Sequence, residues 1–160
     1  MKFEHLSTLE AFLTDVESEL LAETNRVAVQ FPSASISPWS GRELTTANEA
    51  LLAKASKSAN LYAIFTAAQG TDGHSLRYLG KTTKKLARQR ITNHLFKKDD
   101  RTGSKLAEVI KHVGSGGAVW IAWVGIQTES LRNYLEEELI NRHPEADWNR
   151  ENRQATSKGQ

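Results

Sequence analysis

Residues 61–81 read LYAIFTAAQGTDGHSLRYLGK and carry the clearest structural signal in this chain. A short apolar, aromatic run, Leu61 to Phe65, is followed by the turn-forming residues Gln69 to Gly73 and then by a second β-prone run, Ser75 to Lys81. Two such runs joined by a glycine-containing turn are typical of a β-hairpin. The sequence therefore predicts two paired antiparallel strands here.

After the hairpin the apolar residues change their period. They recur every four positions from Ala87 to Leu95, which predicts a helix, and Ser104 to about His112 predicts a second one. Val119 to Ile126 is almost continuously apolar and predicts a strand buried on both faces, and Ser130 to Arg142 predicts the last long helix. The order β, β, α, α, β, α predicts an α+β fold with a small three-stranded antiparallel or mixed sheet and helices packed on it.

The chain is predicted to have three parts. Residues 1–58 form a helical N-terminal extension or arm, residues 59–150 form the main domain, and residues 151–160 form a polar tail. Within the extension, residues 25–44 contain two prolines and only a short β-prone stretch, so they predict a connector.

Two capping boxes predict where the helices of the extension begin. The first pairs Ser7 with Glu10 and opens a helix over about residues 8–24. The second pairs Thr46 with Glu49 and opens a shorter helix.

The composition excludes several kinds of chemistry. Of the 160 residues, 39% are apolar and 25% charged, which is typical of a globular domain. The absence of cysteine rules out disulfides, thiolate metal sites, iron–sulfur clusters and a cysteine nucleophile, so any metal ion must use oxygen or histidine ligands. No apolar run reaches the roughly 18 residues of a membrane span, and Glu4 and Glu10 stand where a signal peptide needs a basic start. We therefore expect a cytoplasmic protein with no membrane partner.

The net charge of +2 conceals an asymmetry. Residues 1–60 hold five Lys or Arg against eight Asp or Glu, a charge of −3, and the rest of the chain has a charge of +5. Positions 77–98 contain no acid and eight basic residues: Arg77, Lys81, Lys84, Lys85, Arg88, Arg90, Lys97 and Lys98. Such an excess attracts polyanions, of which nucleic acid is the commonest, although a basic run is also typical of a solvated helix face.

Two tyrosines, Tyr62 and Tyr78, lie on the two predicted strands of the hairpin. A phenol next to Lys or Arg is held closer to its phenolate form, which makes it a candidate general base. The alternative is a pair of sheet aromatics that pack and form hydrogen bonds.

Arg90 and His94 are four residues apart and therefore lie on the same face of the predicted helix. There a guanidinium can bind a phosphate while an imidazole bonds a neighbouring oxygen or exchanges a proton. Arg88 is a competitor, but the helical period favours Arg90, because it places Ala87 and Ile91 in the core.

Three glutamates follow one another on the last predicted helix. At about 100° per residue Glu137 points away from the apolar row, whereas Glu136 and Glu138 both lie at its rim. A carboxylate at an apolar rim needs a cation or a donor, so both are candidate metal ligands, and the helical period does not separate them.

These residues together resemble the GIY-YIG nucleases over about residues 60–150. The likeness lies in five elements in the family's order: Asn60-Leu61-Tyr62, Tyr78-Leu79-Gly80 with Thr82, Arg90 with His94, Leu135 to Ile140, and Pro144 with Trp148-Asn149. In this family the first motif has glycine where this chain has Asn60. If the glycine allows close backbone approach, a side chain there is expected to narrow the site.

The resemblance implies a metal-dependent endonuclease that hydrolyses phosphodiester bonds in DNA, in a restriction, phage or repair role. It implies that Glu136 binds a single Mg²⁺, with Mn²⁺ as a substitute, and that Arg90 holds the scissile phosphate. By the same resemblance, Tyr62, Tyr78 and His94 handle the attacking water and its proton, and Asn149 orients the phosphate or the metal shell.

The DNA partner is expected to contact the basic side chains Lys81, Lys84, Lys85, Arg88, Lys97 and Lys98. Cleavage of both strands requires a homodimer or two successive nicks. Two alternatives stay open: a nucleic-acid-binding module without activity, and an RNase such as a toxin.

Overall fold

The computed structural model describes residues 1–97 and 103–149 of this chain. Its class is α+β, as predicted. The helices are α1 Leu6–Leu21, α2 Ser33–Ile36, α3 Gly41–Ala47, α4 Glu49–Ala55, α5 Ala87–Leu95, α6 Leu106–Gly114 and α7 Leu131–Arg142. The strands are β1 Val27–Ala28, β2 Leu61–Ala67, β3 Ser75–Lys81 and β4 Ala118–Val124. Short 3-10 helices are Glu23–Asn25, Lys84–Leu86 and Asp147–Asn149. The predicted tail, residues 151–160, and the predicted DNA contact Lys98 lie outside the described residues.

Across the described ranges the sheet has four strands in the order β1-β4-β2-β3, and every neighbouring pair is antiparallel. The prediction of three strands was therefore wrong. The fourth strand, β1, comes from the stretch that we interpreted as a connector, and it pairs Val27 with Ile121. A strand of two residues is too short to show the alternation of apolar and polar side chains by which strands are recognised in a sequence. Strand β1 is therefore revealed only by its pairing with β4.

The hairpin places both tyrosines on one face of the sheet. Tyr62 pairs with Gly80 and Ile64 pairs with Tyr78, so the two tyrosines are diagonal neighbours. A β-bulge after Ile64 shifts the register, and Arg77 lies opposite no residue of β2. Strand β4 is less buried than predicted, because its two tryptophans are only partly covered.

Each face of the sheet carries its own hydrophobic core. One core joins Ile64 and Ile121 of the sheet to helices α4, α5 and α6, and the other joins Phe65 and Leu79 to α1 and α7. The N-terminal extension contributes to both, through the buried side chains Leu13, Leu20, Leu44 and Leu52. No helix in the described part of the chain has the length and apolar character needed to cross a membrane.

Both predicted capping boxes were wrong. Helix α1 begins at Leu6 without a side-chain cap, and Thr46 lies inside α3, where its hydroxyl donates to a backbone carbonyl. The cap of α3 is Ser40, whose Oγ accepts a hydrogen bond from the backbone N–H of Glu43 at 3.2 Å. The same residue spacing occurs at all three places, and only the extended backbone at Ser40 turns it into a cap.

Candidate active site

A cleft of about 500 Å³ opens between strand β3 and the helices α5 and α7. It is lined by five of the six predicted catalytic side chains, which are Tyr62, Tyr78, Arg90, His94 and Glu136. They come from four elements and span 74 positions of sequence. Lys81, predicted to bind DNA, lines the same cleft.

The position of the Tyr62 ring in this cleft requires a glycine at position 80. The Tyr62 ring lies directly over Gly80, and a Cβ at that position would come within 2.5 Å of ring atom Cζ. The two residues are cross-strand partners, so any side chain at position 80 would displace the ring. The glycine therefore makes room for the tyrosine.

The protonation state of His94 follows from its two hydrogen bonds. The backbone N–H of Lys105 donates to Nδ1 at 3.1 Å, so Nδ1 carries no proton. Burial, with Arg90 and Lys105 as further causes, lowers the pKa of His94 to about 4, so the ring is neutral at pH 7. Its proton therefore sits on Nε2, which donates to the Tyr62 hydroxyl oxygen at 2.8 Å.

Tyr62 is not held near its phenolate form, contrary to the expectation from the neighbouring basic residues. The side chain is only 1% exposed, and burial raises its pKa well above the ordinary value. Arg90 opposes this shift, but burial outweighs it because the ionised form loses its hydration. Tyr78 is only partly buried, and its ring centroid lies 6.1 Å from that of Tyr62 and 5.1 Å from that of His94.

The two arginines of α5 have different surroundings. Arg90 lines the cleft, and the core positions beside it are Ala87 and Ile91, both fully buried, as the helical period predicted. Arg88 turns to the N-terminal extension, where its NH1 donates to Glu49 Oε1 at 2.9 Å and its NH2 pairs with the other carboxylate oxygen. Its predicted contact to DNA therefore competes with an ion pair.

Glu136 is the glutamate that joins the other candidates. Its side chain is 17% exposed, and Oε1 lies 3.7 Å from Lys81 Nζ. Burial raises the pKa of Glu136, and Lys81 and Arg90 only partly oppose the shift. Glu137 is exposed, as predicted, and lies at the edge of the cleft, whereas Glu138 is not among the lining residues.

The donor set of the cleft suits a hard, hydrated cation. In the described part of the chain no three His, Asp or Glu side chains come together as a complete set of ligands. Glu136 provides a carboxylate whose pKa is raised mainly by burial, so a cation beside it would favour its charged form. Mg²⁺ keeps several waters and uses one or two carboxylates plus substrate phosphates, so the residues present fit it.

Asn149 lies outside the cleft and pairs with the edge strand. Its Oδ1 accepts from the Leu79 backbone N–H and its Nδ2 donates to the Leu79 carbonyl, both at 2.9 Å. Asn149 is 1% exposed. It thus satisfies the outward-facing backbone of β3, the edge strand of the sheet within the described residues. The expected role of Asn149 in orienting the phosphate stays a prediction.

Asn60 also has a backbone partner. Its Oδ1 accepts from the Ile126 N–H at 2.7 Å and its Nδ2 donates to the Ile126 carbonyl at 2.8 Å. The side chain is fully buried and is not among the residues that line the cleft. Asn60 therefore links β2 to the end of β4 and does not narrow the site.

The remaining predicted DNA contacts differ in exposure. Lys85 and Lys97 are exposed and Lys84 is partly buried. Arg77, from the same basic run, is bound on both sides: its Nε donates to Thr66 at 2.9 Å and its NH1 pairs with Asp147 at 2.9 Å. The acid-free stretch of sequence is therefore partly neutralised by acids from distant positions.

Several residues of the site were missed. Asn133 and Asn141 line the cleft on either side of Glu136, and Lys105 fixes the His94 tautomer. Asn133 lies three positions before Glu136, so helical spacing could have identified it. The contact of Lys105 with His94 has no sequence signal, because it is made by a backbone N–H.

No protein-family model matches this chain, and no curated protein or solved structure matches it. The GIY-YIG resemblance therefore rests on the sequence motifs.

Proposed function

We propose that this chain is a metal-dependent endonuclease of the GIY-YIG type that hydrolyses phosphodiester bonds in DNA. The observation that supports it is the meeting of two phenols, an imidazole, a guanidinium and a carboxylate at one cleft of about 500 Å³. Phosphodiester hydrolysis needs a cation site, donors for the phosphate oxygens and an acceptor for the proton of water. These five side chains supply each of them.

Glu136 is the residue that would hold Mg²⁺, or Mn²⁺ in its place. When bound, the ion supplies a Lewis acid that stabilises the charge developing on the phosphate and the leaving oxygen. Arg90 donates to the non-bridging oxygens of the scissile phosphate, since its planar guanidinium can bind two oxygens at once. Lys81, 3.7 Å from Glu136, neutralises that carboxylate while the site is free.

The proton of the attacking water passes to the tyrosine pair. Because His94 Nε2–H donates to the Tyr62 oxygen, the Tyr62 O–H is directed to another acceptor. The Tyr78 side chain is the neighbouring phenol, and after burial its interaction with Tyr62 is a further cause of the raised pKa of Tyr62. In this proposal the Tyr62 O–H donates to the Tyr78 oxygen and so stabilises the phenolate form of Tyr78. That phenolate lines the cleft, orients the attacking water and takes its proton, which leaves Tyr78 as a neutral phenol.

The test is a pair of glutamate variants on one helix. Glu136→Gln keeps the shape of the side chain but removes the charge, and we expect its single-turnover rate on plasmid DNA with Mg²⁺ to fall by roughly a hundredfold or more. The control, Glu138→Gln, lies outside the cleft and should cleave at the wild-type rate. An inactive Glu138→Gln together with an active Glu136→Gln would refute the assignment.

The same assay separates the alternatives. Wild-type protein that binds DNA in an anisotropy titration but cleaves neither plasmid nor total RNA would be a binding module. Cleavage of RNA alone would identify an RNase. Nicked plasmid that appears before linear plasmid is expected for one cleft per chain, and its absence would support a homodimer that cuts both strands together.

A further inference from the structure

A second, smaller cavity adjoins the cleft. It has a volume of about 230 Å³ and lies between the end of β3, the residues that lead into α5, and the first turn of α7. Lys81 and Arg90 line both cavities, so these two side chains form their common boundary. We call this cavity the annex, and its third cation is Arg132.

The annex has a different charge from the cleft. Three cationic side chains line it, and its other lining residues in the described part of the chain are uncharged, among them Thr83 and Gln89. The cleft, in contrast, is lined by Glu136 and Glu137 in addition to its cations. Lys81 also pairs with Glu136 on the cleft side, so the surplus of positive charge in the annex comes mainly from Arg90 and Arg132. With no acid among the described lining residues, that surplus favours an anionic ligand.

Arg132 lines the annex and has one donor without a partner in the part of the chain that the structure describes. Its Nε is buried and has no hydrogen-bond partner among the described residues. Its NH1 donates to the Glu129 carbonyl at 3.0 Å, while the Glu129 carboxylate accepts from the Lys84 backbone N–H at 3.0 Å. Within the described ranges no ion pair joins Arg132 to an acid. A buried donor without a partner is costly, so a phosphate that draws the guanidinium towards itself would relieve that cost.

We propose that the annex binds the phosphate next to the scissile one, and that Arg132 is the residue that contacts it. This proposal rests on the proposed function, because the scissile phosphate is placed at Arg90. A nucleic acid strand that passes from the cleft over Lys81 and Arg90 meets Arg132 next. The annex thereby fixes the register of the strand relative to the reacting phosphate.

The experiment combines a protein variant with a backbone substitution. After the cut position is mapped on plasmid DNA, synthetic duplexes carry one uncharged methylphosphonate at each phosphate flanking that position. Single-turnover rates are measured for the wild type and for Arg132→Ala. The control is Arg142→Ala on the same helix, outside both cavities, where Arg142 pairs with Glu17.

We expect Arg132→Ala to lower the rate on unmodified duplex by roughly 10- to 100-fold, the scale of a lost hydrogen bond to a charged group. One methylphosphonate position should slow the wild type and the Arg142→Ala control to a similar degree, yet leave Arg132→Ala no slower than on unmodified DNA. Such non-additivity shows that the side chain and that phosphate interact. Arg132→Gln, a second variant, should behave like Arg132→Ala, and circular dichroism melts show whether each is folded.

Two outcomes would overturn the proposal, and they differ. If the wild type cleaves but every methylphosphonate slows Arg132→Ala and Arg132→Gln as much as the wild type, the annex does not bind a flanking phosphate and the nuclease assignment stands. If folded wild-type protein cleaves neither DNA nor RNA, the proposed function fails and the annex proposal fails with it.

Discussion

His94 is expected to make the stability of this protein fall as the pH is lowered from 7 to 4.5. Its pKa is about 4 in the folded protein, mainly because the ring is buried, and 6.5 is its ordinary value. The unfolded chain therefore takes up a proton below about pH 6.5 that the folded protein does not bind until about pH 4. Stability that is present above pH 6.5 is lost progressively across this window.

The magnitude follows from the two pKa values. Linkage gives a loss of about 2 kcal/mol in the free energy of unfolding between pH 7 and pH 4.5 from this one residue. Glu136 acts in the opposite direction, because a carboxyl whose pKa is raised binds its proton more readily in the folded protein. Comparison with a variant that lacks only His94 removes this contribution.

The assay is urea unfolding at several pH values. His94→Gln keeps a side chain able to donate to Tyr62 but cannot titrate, so its stability should fall by about 2 kcal/mol less than that of the wild type between pH 7 and 4.5. The matched control is His5→Gln, at an exposed histidine, which should follow the wild type. Parallel curves for wild type and His94→Gln would refute the inference that His94 is buried in its neutral form.

Two further predictions concern side chains with distant partners. Asn149→Ala should lower the free energy of unfolding, measured by urea denaturation, by about 2–4 kcal/mol, because it leaves the N–H and carbonyl of Leu79 without partners. The control Asn141→Ala, at an exposed position, should change it by no more than about 0.5 kcal/mol. Glu49→Gln should free Arg88 to bind DNA and steepen the fall of log K with log salt by about 0.9, measured by anisotropy. The control Glu19→Gln makes the same charge change at an exposed position on α1 and should leave that slope unaltered. An equal slope for Glu49→Gln and wild type would contradict a role for Arg88 in DNA binding.

The local sequence pattern predicted an element correctly wherever residues close in sequence determine its structure. The strand Ser75–Lys81 was predicted to the residue, and the long helix before His143 within one residue, because side-chain alternation and helical period are read over a few positions. The same reasoning selected Arg90 over Arg88, since it depends only on which neighbours are buried. It failed for capping, because a Ser or Thr three positions before a Glu occurs at several places, and neither of the two that we chose forms the predicted cap.

The functional arrangement depends on contacts between residues far apart in sequence. The helical period did not distinguish Glu136 from Glu138 as the candidate metal ligand. The packing of α7 against β3 brings Glu136 to the cleft, and Glu138 is not among its lining residues. The neutral state of His94 depends mainly on burial, and its tautomer depends on a backbone N–H 11 positions away. Asn149 bonds a strand 70 positions before it. Sequence patterns carry the local period of the backbone, whereas burial, hydrogen-bond partners and protonation arise only when separate elements pack together.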